Sequence, residues 1–591
     1  MAGFRLALVQ MNAVLGDLNG NIDAMRQWTA KAAAAHAQLV VFPQSAITGF
    51  PLEDLAARPS FADDAYTAAG RFATALAADG LGGLPVVSGC LAPDGWRHSV
   101  VLIHEGQIMA APSGDRDDSV HEPQTARHFA PQEALTVVRV AGFDLALALG
   151  EDVLAPDTPA IAAARAGAVD LVVTTAAFPY RMGGFDGRLN LLRQRSAEAD
   201  VPLACVNLVG GQDDHVFDGG SVLLASDGQL VARTERFEEQ LLVAEVKLPT
   251  KAGTPSPLPA GVTLRHLPLD APLVSSSPMP GMPVRLPPLV ATPRGKGTGV
   301  EQEVWQALVT GIRDYTVKNG FESVIVGLSG GVDSAVTAVL ACDALGPDKV
   351  VAVSMPSACS TDHSRGDAAE LARRVGLDFR SIAIQPHVDA VLDTIELDGV
   401  AVENVQARMR SLLLMALSNQ EGHLMLNTGN KTEYGCGHAT LYGDSAGGYA
   451  PLKDVPKTLV WRLAHWRNVQ AEQRGEAAPV PENIILKEPS PELRPGQVDS
   501  QLLPASYEVL DLIIAGYVDQ GLCRDALVAE GLESDVVDRV IEMIEHAEFK
   551  RHQAPPGPRI SAGSFGRDRR LPVTNRYRDR GAEGREVPGR V

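Results

Sequence analysis

The sequence predicts an α/β protein of two domains, on three observations. Apolar strand-like runs alternate with Ala-rich helix-like runs in both halves of the chain. A proline-rich stretch from Pro249 to about Val300 separates those halves. In the second half, Val324-Ile325-Val326 runs into a Ser/Gly-rich turn that opens a helix-like segment, 335–345. At 591 residues the chain is too long for one hydrophobic core, so each half has to bury its own.

Taken in order, Phe4-Arg5-Leu6-Ala7-Leu8-Val9-Gln10 reads as a first strand; it is too short for a signal h-region and lacks a clear cleavage site. Residues 22–37 read as a helix, 39–42 as a strand and 67–78 as a helix. Strands follow at 86–89, 100–103, 144–149 and 171–174, with a helix at 161–166. The next segment holds Pro-Ser-Pro-Leu-Pro, Ser-Ser-Ser-Pro-Met-Pro-Gly-Met-Pro and Arg-Leu-Pro-Pro, which excludes helix and favours an extended linker or meandering surface chain. Beyond it, strands are expected at 324–326, 350–354 and 424–428, and helices at 335–345, 367–375 and 405–417. The domain reading is therefore 1–248, a linker at 249–300, 301–578, and a disordered tail at 579–591.

Composition narrows the class. Hydrophobic content of 45% with 21% charged residues is ordinary for a soluble globular protein. No apolar run reaches membrane-spanning length, so no membrane partner is expected. A net charge of −20 disfavours general nucleic-acid binding. Six Cys without a C-x-x-C pair argue against a disulfide scaffold or zinc site and for a cytoplasmic protein. One region is basic: Arg551, Arg559, Arg567, Arg569, Arg570, Arg576 and Arg578 lie beyond Lys550 with few acids between them. It is either a solvated tail or a segment that folds against an anionic substrate or a neighbouring subunit.

The turn in the second half is Gly327-Leu328-Ser329-Gly330-Gly331-Val332-Asp333-Ser334. Small residues let the backbone close around an anion, and unpaired amides at the helix start face it. It is not the Walker loop, which needs a Lys missing here. S-G-G-x-D-S instead resembles the loop of the pyrophosphatase-loop ATP enzymes, which split ATP to AMP and pyrophosphate. On that resemblance Ser329 and Ser334 hold phosphate oxygens, and Asp333 brings a carboxylate to phosphate-bound Mg2+.

Further motifs recur in order: Met355-Pro356-Ser357, Glu403-Asn404-Val405-Gln406-Ala407-Arg408, Thr428-Gly429-Asn430-Lys431-Thr432-Glu433 and Tyr442-Gly443-Asp444. Pro451-Leu452-Lys453-Asp454-Val455-Pro456-Lys457 and Phe549-Lys550-Arg551 complete the set. Over about residues 301–578 the chain resembles the NAD+ synthetases. The resemblance implies an adenine-nucleotide α-hydrolase-like, doubly wound fold and a ligase that adenylates the nicotinate carboxylate of deamido-NAD+ with ATP. Ammonia then displaces AMP. It implies Asp333 and Glu433 as acids on Mg2+, and ATP contacts from the loop 327–334, Thr428 and Lys457. It places Asn404, Glu433, Asp444 and Lys550 on deamido-NAD+, so Glu433 has two possible partners. Lys457 alone would read as a solvated helix lysine. The Gly-rich run 435–448 is expected as a mobile loop over the substrates, or a plain surface loop. A homo-oligomer through this half is also implied.

Residues 1–248 resemble the nitrilase-type glutaminase domain, an α/β sandwich fused to the synthetase in glutamine-dependent NAD+ synthetases. The carriers include Leu6-Ala7-Leu8-Val9-Gln10-Met11-Asn12, Phe42-Pro43, Thr48-Gly49-Phe50-Pro51, Gly150-Glu151-Asp152 and Phe217-Asp218-Gly219. That family hydrolyses glutamine with a Glu–Lys–Cys triad. Here Gln44 follows Phe-Pro where the Glu is expected, and Gly150 precedes Glu-Asp where the Cys is expected. The Lys should fall near Gly114, and residues 110–129 contain none. The expected reading is an NAD+ synthetase that uses ammonia directly, with a degenerate glutaminase domain. The alternatives are a glutamine-hydrolysing enzyme using other groups, with Cys205 the nearest by type, a non-catalytic amide-binding or assembly module, or an ATP enzyme with another acceptor. Thr428–Glu433 and Lys550-Arg551 argue against the last.

Overall fold

The computed structural model describes residues 2–91, 98–110, 135–248, 256–259, 261–269, 299–577, 579 and 581. The chain divides into two compact units, one of residues 1–212 and 217–293, the other of 213–216 and 294–591.

In the first unit, among the described residues, a six-stranded sheet is ordered Gln240–Leu248, Ala2–Gln10, Leu39–Val41, Val86–Leu91, His98–His104, Gln107–Ala110. A seven-stranded sheet is ordered Leu230–Arg233, Val222–Leu224, Leu203–Asn207, Leu171–Ala176, Phe143–Leu149, Leu135–Val140, Leu264–Pro268. The alternation along Ala2–Gln10 stacks them. Phe4, Leu6 and Leu8 join a core with Leu145, Leu171 and Val206 of the other sheet, while Ala7 and Val9 face the helices. Met25 of the helix Leu18–Ala34 and Phe72 of Pro59–Ala78 pack on that outer face. Ile161 of Pro159–Arg165 and Leu189 of Gly184–Ala199 cover the second sheet. The result is the α/β sandwich that the first-half resemblance implied.

One expectation needs correction. Part of the predicted linker is a strand, Leu264–Pro268, paired in parallel with Leu135–Val140 at the sheet edge. Pro268 is tolerated there because an edge strand leaves one row of amides unpaired. The remaining linker residues 249–255, 260 and 270–298 lie outside the described residues, as does the tail apart from 579 and 581.

The second unit is built on a parallel sheet ordered Asp378–Ser381, Val350–Ser354, Val324–Gly327, Leu424–Leu426. In chain order these are the third, second, first and fourth strands, so the winding reverses between Val324–Gly327 and Leu424–Leu426. Such a switch point opens a crevice at the carboxyl ends of its two strands. Val326 is level with Leu426, so both strands end together at that crevice. The helix expected at 335–345 begins at Val332, and nearly all of it is buried. The strand expected at 424–428 stops at Leu426, leaving 427–430 free to turn into the crevice. Among the described residues no helix is long and apolar enough to cross a membrane.

Candidate active site

The crevice contains a cavity of ≈ 300 Å3, walled by the loop 327–334 with Thr428, Glu433, Asp444 and Lys457. Its floor is the turn after Val324–Gly327. Gly330 has φ +85°, and a Cβ there would stand 2.3 Å from the Ser364 carbonyl, so only glycine fits. The two serines organise the turn. Ser329 Oγ accepts from the Gly331 amide (3.2 Å) and lies 3.1 Å from Ser334 Oγ, which donates to the Gly331 carbonyl (2.9 Å). The helix Val332–Leu345 starts at this point and directs its unpaired amides and positive dipole end at the turn.

Three charges lie above the loop. Asp333, in the first helical turn, accepts from Asn430 Nδ2 at 2.9 Å and pairs with Lys457 Nζ. Lys457 is 2% exposed and has Glu433 Oε1 at 3.9 Å as its second carboxylate. Burial alone would depress the Lys457 ammonium, but Asp333 and Glu433 outweigh it and hold it above its usual value. Burial, and then the nearby Asp333, push the Glu433 carboxyl up. Glu433 is fixed by a capping box: its amide donates to Asn430 Oδ1 (2.9 Å) and its carboxylate accepts from the Asn430 amide (3.1 Å). Lys457 is thus no solvated helix lysine; it sits at the buried start of the helix Lys457–Gln473.

The residues expected on deamido-NAD+ meet around the segment after Cys436. Asp444 Oδ1 accepts from the Thr440 amide at 2.6 Å, and Thr440 Oγ1 reaches Asn404 Oδ1 at 2.9 Å. Lys550 Nζ donates to the carbonyls of Gly437 and Ala439, both at 2.8 Å. Asp444 and Glu433 line the cavity, whereas Asn404 and Lys550 stand behind this segment and do not. The expected Gly-rich loop also begins differently, since Gly435 belongs to the helix Lys431–Cys436. The basic region is largely satisfied internally. Arg551 is buried against Glu548, Arg559 pairs with Asp568 and Arg569 with Glu545. Arg578 lies outside the described residues.

Sequence reasoning missed two features of the wall. Asn427 is 2% exposed and makes four side-chain hydrogen bonds, to Gly429, Tyr434 and the segment 444–446. Lys487 and Glu492, on which no expectation fell, meet at 2.9 Å, and Glu492 also takes the hydroxyls of Thr361 (2.9 Å) and Ser364 (2.6 Å). A polar residue directly after a buried apolar triplet, Leu424-Met425-Leu426, was the available pointer to Asn427.

In the first unit, Gln44 and Gly150 are neighbours at strand ends. A Cβ at Gly150 would stand 3.4 Å from Gln44 Oε1 and 3.4 Å from the Ala176 Cα. The Gln44 amide donates to the Ala176 carbonyl at 3.3 Å, and Gly89 lets the Gln44 backbone approach, since a Cβ there would lie 2.6 Å from the Gln44 Cα. Gly114 lies outside the described residues. Cys205 is buried inside the strand Leu203–Asn207, and burial pushes its thiol up to about 12. Cys90, inside Val86–Leu91, is likewise pushed up to about 12.

Comparison with known proteins agrees with this division. The family described as carbon-nitrogen hydrolase matches residues 5–255, and that described as NAD synthase matches 304–554. The chain is 35% identical over 588 residues to a glutamine-dependent NAD(+) synthetase of Thermotoga maritima, covering 98% of this chain and all of that one. It is 36% identical over 590 residues to the same enzyme of Xanthomonas campestris pv. campestris, covering 97% and 98%. A solved glutamine-dependent NAD+ synthetase from Acinetobacter baumannii, in complex with adenosine diphosphate, superposes with a TM-score of 0.68 at 30% identity, over 97% of this chain and 99% of that one.

Proposed function

The chain belongs to the family of glutamine-dependent NAD+ synthetases, and we propose that it makes NAD+ from deamido-NAD+ and ATP with ammonia as the nitrogen donor. The carboxylate of the nicotinate ring is a poor electrophile, so it has to be activated as an acyl-adenylate. The loop 327–334 with Thr428 would cradle the phosphates, and Lys457 would offset charge on the departing pyrophosphate. Asp333 and Glu433 offer hard oxygen ligands on either side of a lysine ammonium, a place that already accepts a cation. That donor set suits Mg2+, which takes one or two carboxylates together with phosphate oxygens and water. The ion would be held by Asp333 and Glu433 and would supply neutralisation of the phosphates. The segment holding Asp444, backed by Asn404 and Lys550, would take the dinucleotide. We further propose a homo-oligomer through the synthetase unit, and the cytoplasm as its compartment.

One observation carries the choice of ammonia: an amide, Gln44, and a hydrogen, Gly150, face each other where the resemblance calls for a general base and a nucleophile. A neutral amide cannot take up a proton near neutral pH. Residues 1–248 contain Cys90 and Cys205 alone as thiols, and both are buried within strands. The second reading, glutamine as donor through other groups, is favoured by the near full-length identity to relatives named for glutamine. The deciding assay supplies ATP and deamido-NAD+ with either ammonium or ammonia-free glutamine, and measures NAD+ and glutamate. NAD+ should form with ammonium and scarcely with glutamine. Glutamate released one-for-one with NAD+ would overturn the ammonia reading in favour of the second.

A further inference from the structure

We propose that Asn427 is a positioning residue: its single amide ties the segment 444–446, on the dinucleotide side, to the Glu433 helix and the turn on the ATP side. The proposal rests on the placing of deamido-NAD+ against Asp444 given above.

Asn427 follows the strand Leu424–Leu426 at the switch point and is 2% exposed. Its Nδ2 donates to the carbonyls of Asp444 (2.7 Å) and Ala446 (2.9 Å). Its Oδ1 accepts from the Gly429 amide (2.7 Å) and from the Tyr434 hydroxyl (2.8 Å). An amide side chain has two N–H donors and two carbonyl lone pairs, and here all of them are used. The partners also fix its orientation, because carbonyls lie on one side and donors on the other. The neighbouring backbone is shaped around it. A Cβ on Gly429 would come within 3.0 Å of Asn427 Oδ1, and one on Gly447, at φ +154°, within 3.0 Å of Asn427 Cβ. Tyr434 directly follows Glu433 in the helix Lys431–Cys436, and Gly429 directly follows Thr428. Asp444 in turn holds Thr440, which reaches Asn404. One planar group therefore sets the distance between the carboxylate at the phosphates and the segment at the dinucleotide. Transfer of AMP from bound ATP to the bound nicotinate carboxylate, with pyrophosphate leaving, is sensitive to that distance.

The donor and acceptor sides can be broken separately. Asn427→Asp keeps the shape and the bonds from Gly429 and Tyr434 but loses both donors to 444 and 446. Tyr434→Phe keeps those donors and removes one bond on the helix side. With ammonium saturating, N427D should raise KM for deamido-NAD+ about tenfold, with kcat and the ATP constant within about twofold. Y434F should lower kcat about fivefold with both KM values within about twofold. Thermal melts and circular dichroism of both variants establish folding. Both variants moving the same parameters, or neither moving any, overturns the positioning role. A rise in the ATP constant alone for N427D overturns the placing of the dinucleotide, and the proposal with it.

Discussion

Each unit brings residues from separate strand ends to one place, and the chemistry of the named residues differs between the two places. At the crevice of the second unit, Asp333 and Glu433 surround the buried ammonium of Lys457, and the serines of the loop are already turned inward. At the corresponding place in the first unit the backbone is as closely arranged, with Gln44 bonded to Ala176 and Gly89 making room for it. What stands there is an amide against a hydrogen. The difference teaches that closely arranged backbone at strand ends does not by itself set the chemistry there. Backbone hydrogen bonds and apolar packing maintain the geometry, and neither depends on a nucleophile or base being present. Buried charge costs stability, and the second unit meets that cost with counter-charges and hydrogen bonds.

The comparison is broken most directly by removing the charges. Asp333→Asn and Glu433→Gln should each lower NAD+ formation with ammonium by roughly a hundredfold or more, with circular dichroism unchanged. Turnover near that of the unaltered protein in either variant would remove that acid from the chemistry of the second unit.

Next in size is the support beneath those charges. Lys431 is fully buried two residues before Glu433, with its ammonium 2.6 Å from Asp519 Oδ1, 3.0 Å from Asp454 Oδ1 and 2.7 Å from Ser561 Oγ. Burial alone would depress that ammonium, and the two aspartates raise it instead. Lys431→Met would leave two carboxylates facing each other in the interior. Breaking a buried pair in this way costs about 3–5 kcal/mol, which a shift of the urea midpoint would reveal. An unchanged midpoint would mean that the network is not what holds the helix Lys431–Cys436 in place.

Much of this arrangement was legible in the sequence, for physical reasons. The turn 327–334 announced itself because an anion-binding backbone tolerates few residue types, and Gly330 shows why. Glu433 was legible through its motif, although its capping box with Asn430 also follows the N-x-x-E pattern of a helix start. The strand Leu264–Pro268 was hidden by prolines on both sides, since edge pairing in a sheet is a tertiary event that local composition does not report. The pairing of Arg551, Arg559 and Arg569 was hidden for a related reason. A run of arginines leaves a solvated tail and a folded segment equally open until its partners, such as Glu545 for Arg569, are known. Asn427 escaped notice because its partners, spread over residues 429–446, are gathered around it only by the fold.

A smaller effect separates support from contact within the second unit. Lys550 grips two carbonyls of the segment that holds Asp444, and burial lowers its ammonium from the usual value. Lys550→Ala should raise the apparent constant for deamido-NAD+ several-fold, roughly the worth of one charge-assisted hydrogen bond, and leave that for ATP nearly unchanged. Equal effects on both substrates would assign Lys550 to general stability.

The smallest expected effect comes from trying to make the two units alike. The space at Gly150 admits a side-chain carbon, since the nearest atoms would lie 3.4 Å away in ordinary contact. Gln44→Glu is nearly isosteric. The double variant Q44E/G150C should therefore fold and melt within about 1 kcal/mol of the parent, in the range of substitutions that create neither cavity nor overpacking. It should nonetheless release no glutamate from glutamine. A thiolate and a base still lack the lysine that the resemblance calls for to stabilise charge on the carbonyl oxygen, because none occurs in 110–129. NAD+ synthesis from ammonium should stay at the parental rate, since Asp333, Glu433 and Lys457 are untouched. Glutamate release by Q44E/G150C would show that another group already supplies the cation's role, and that the first unit lies two substitutions from activity rather than three.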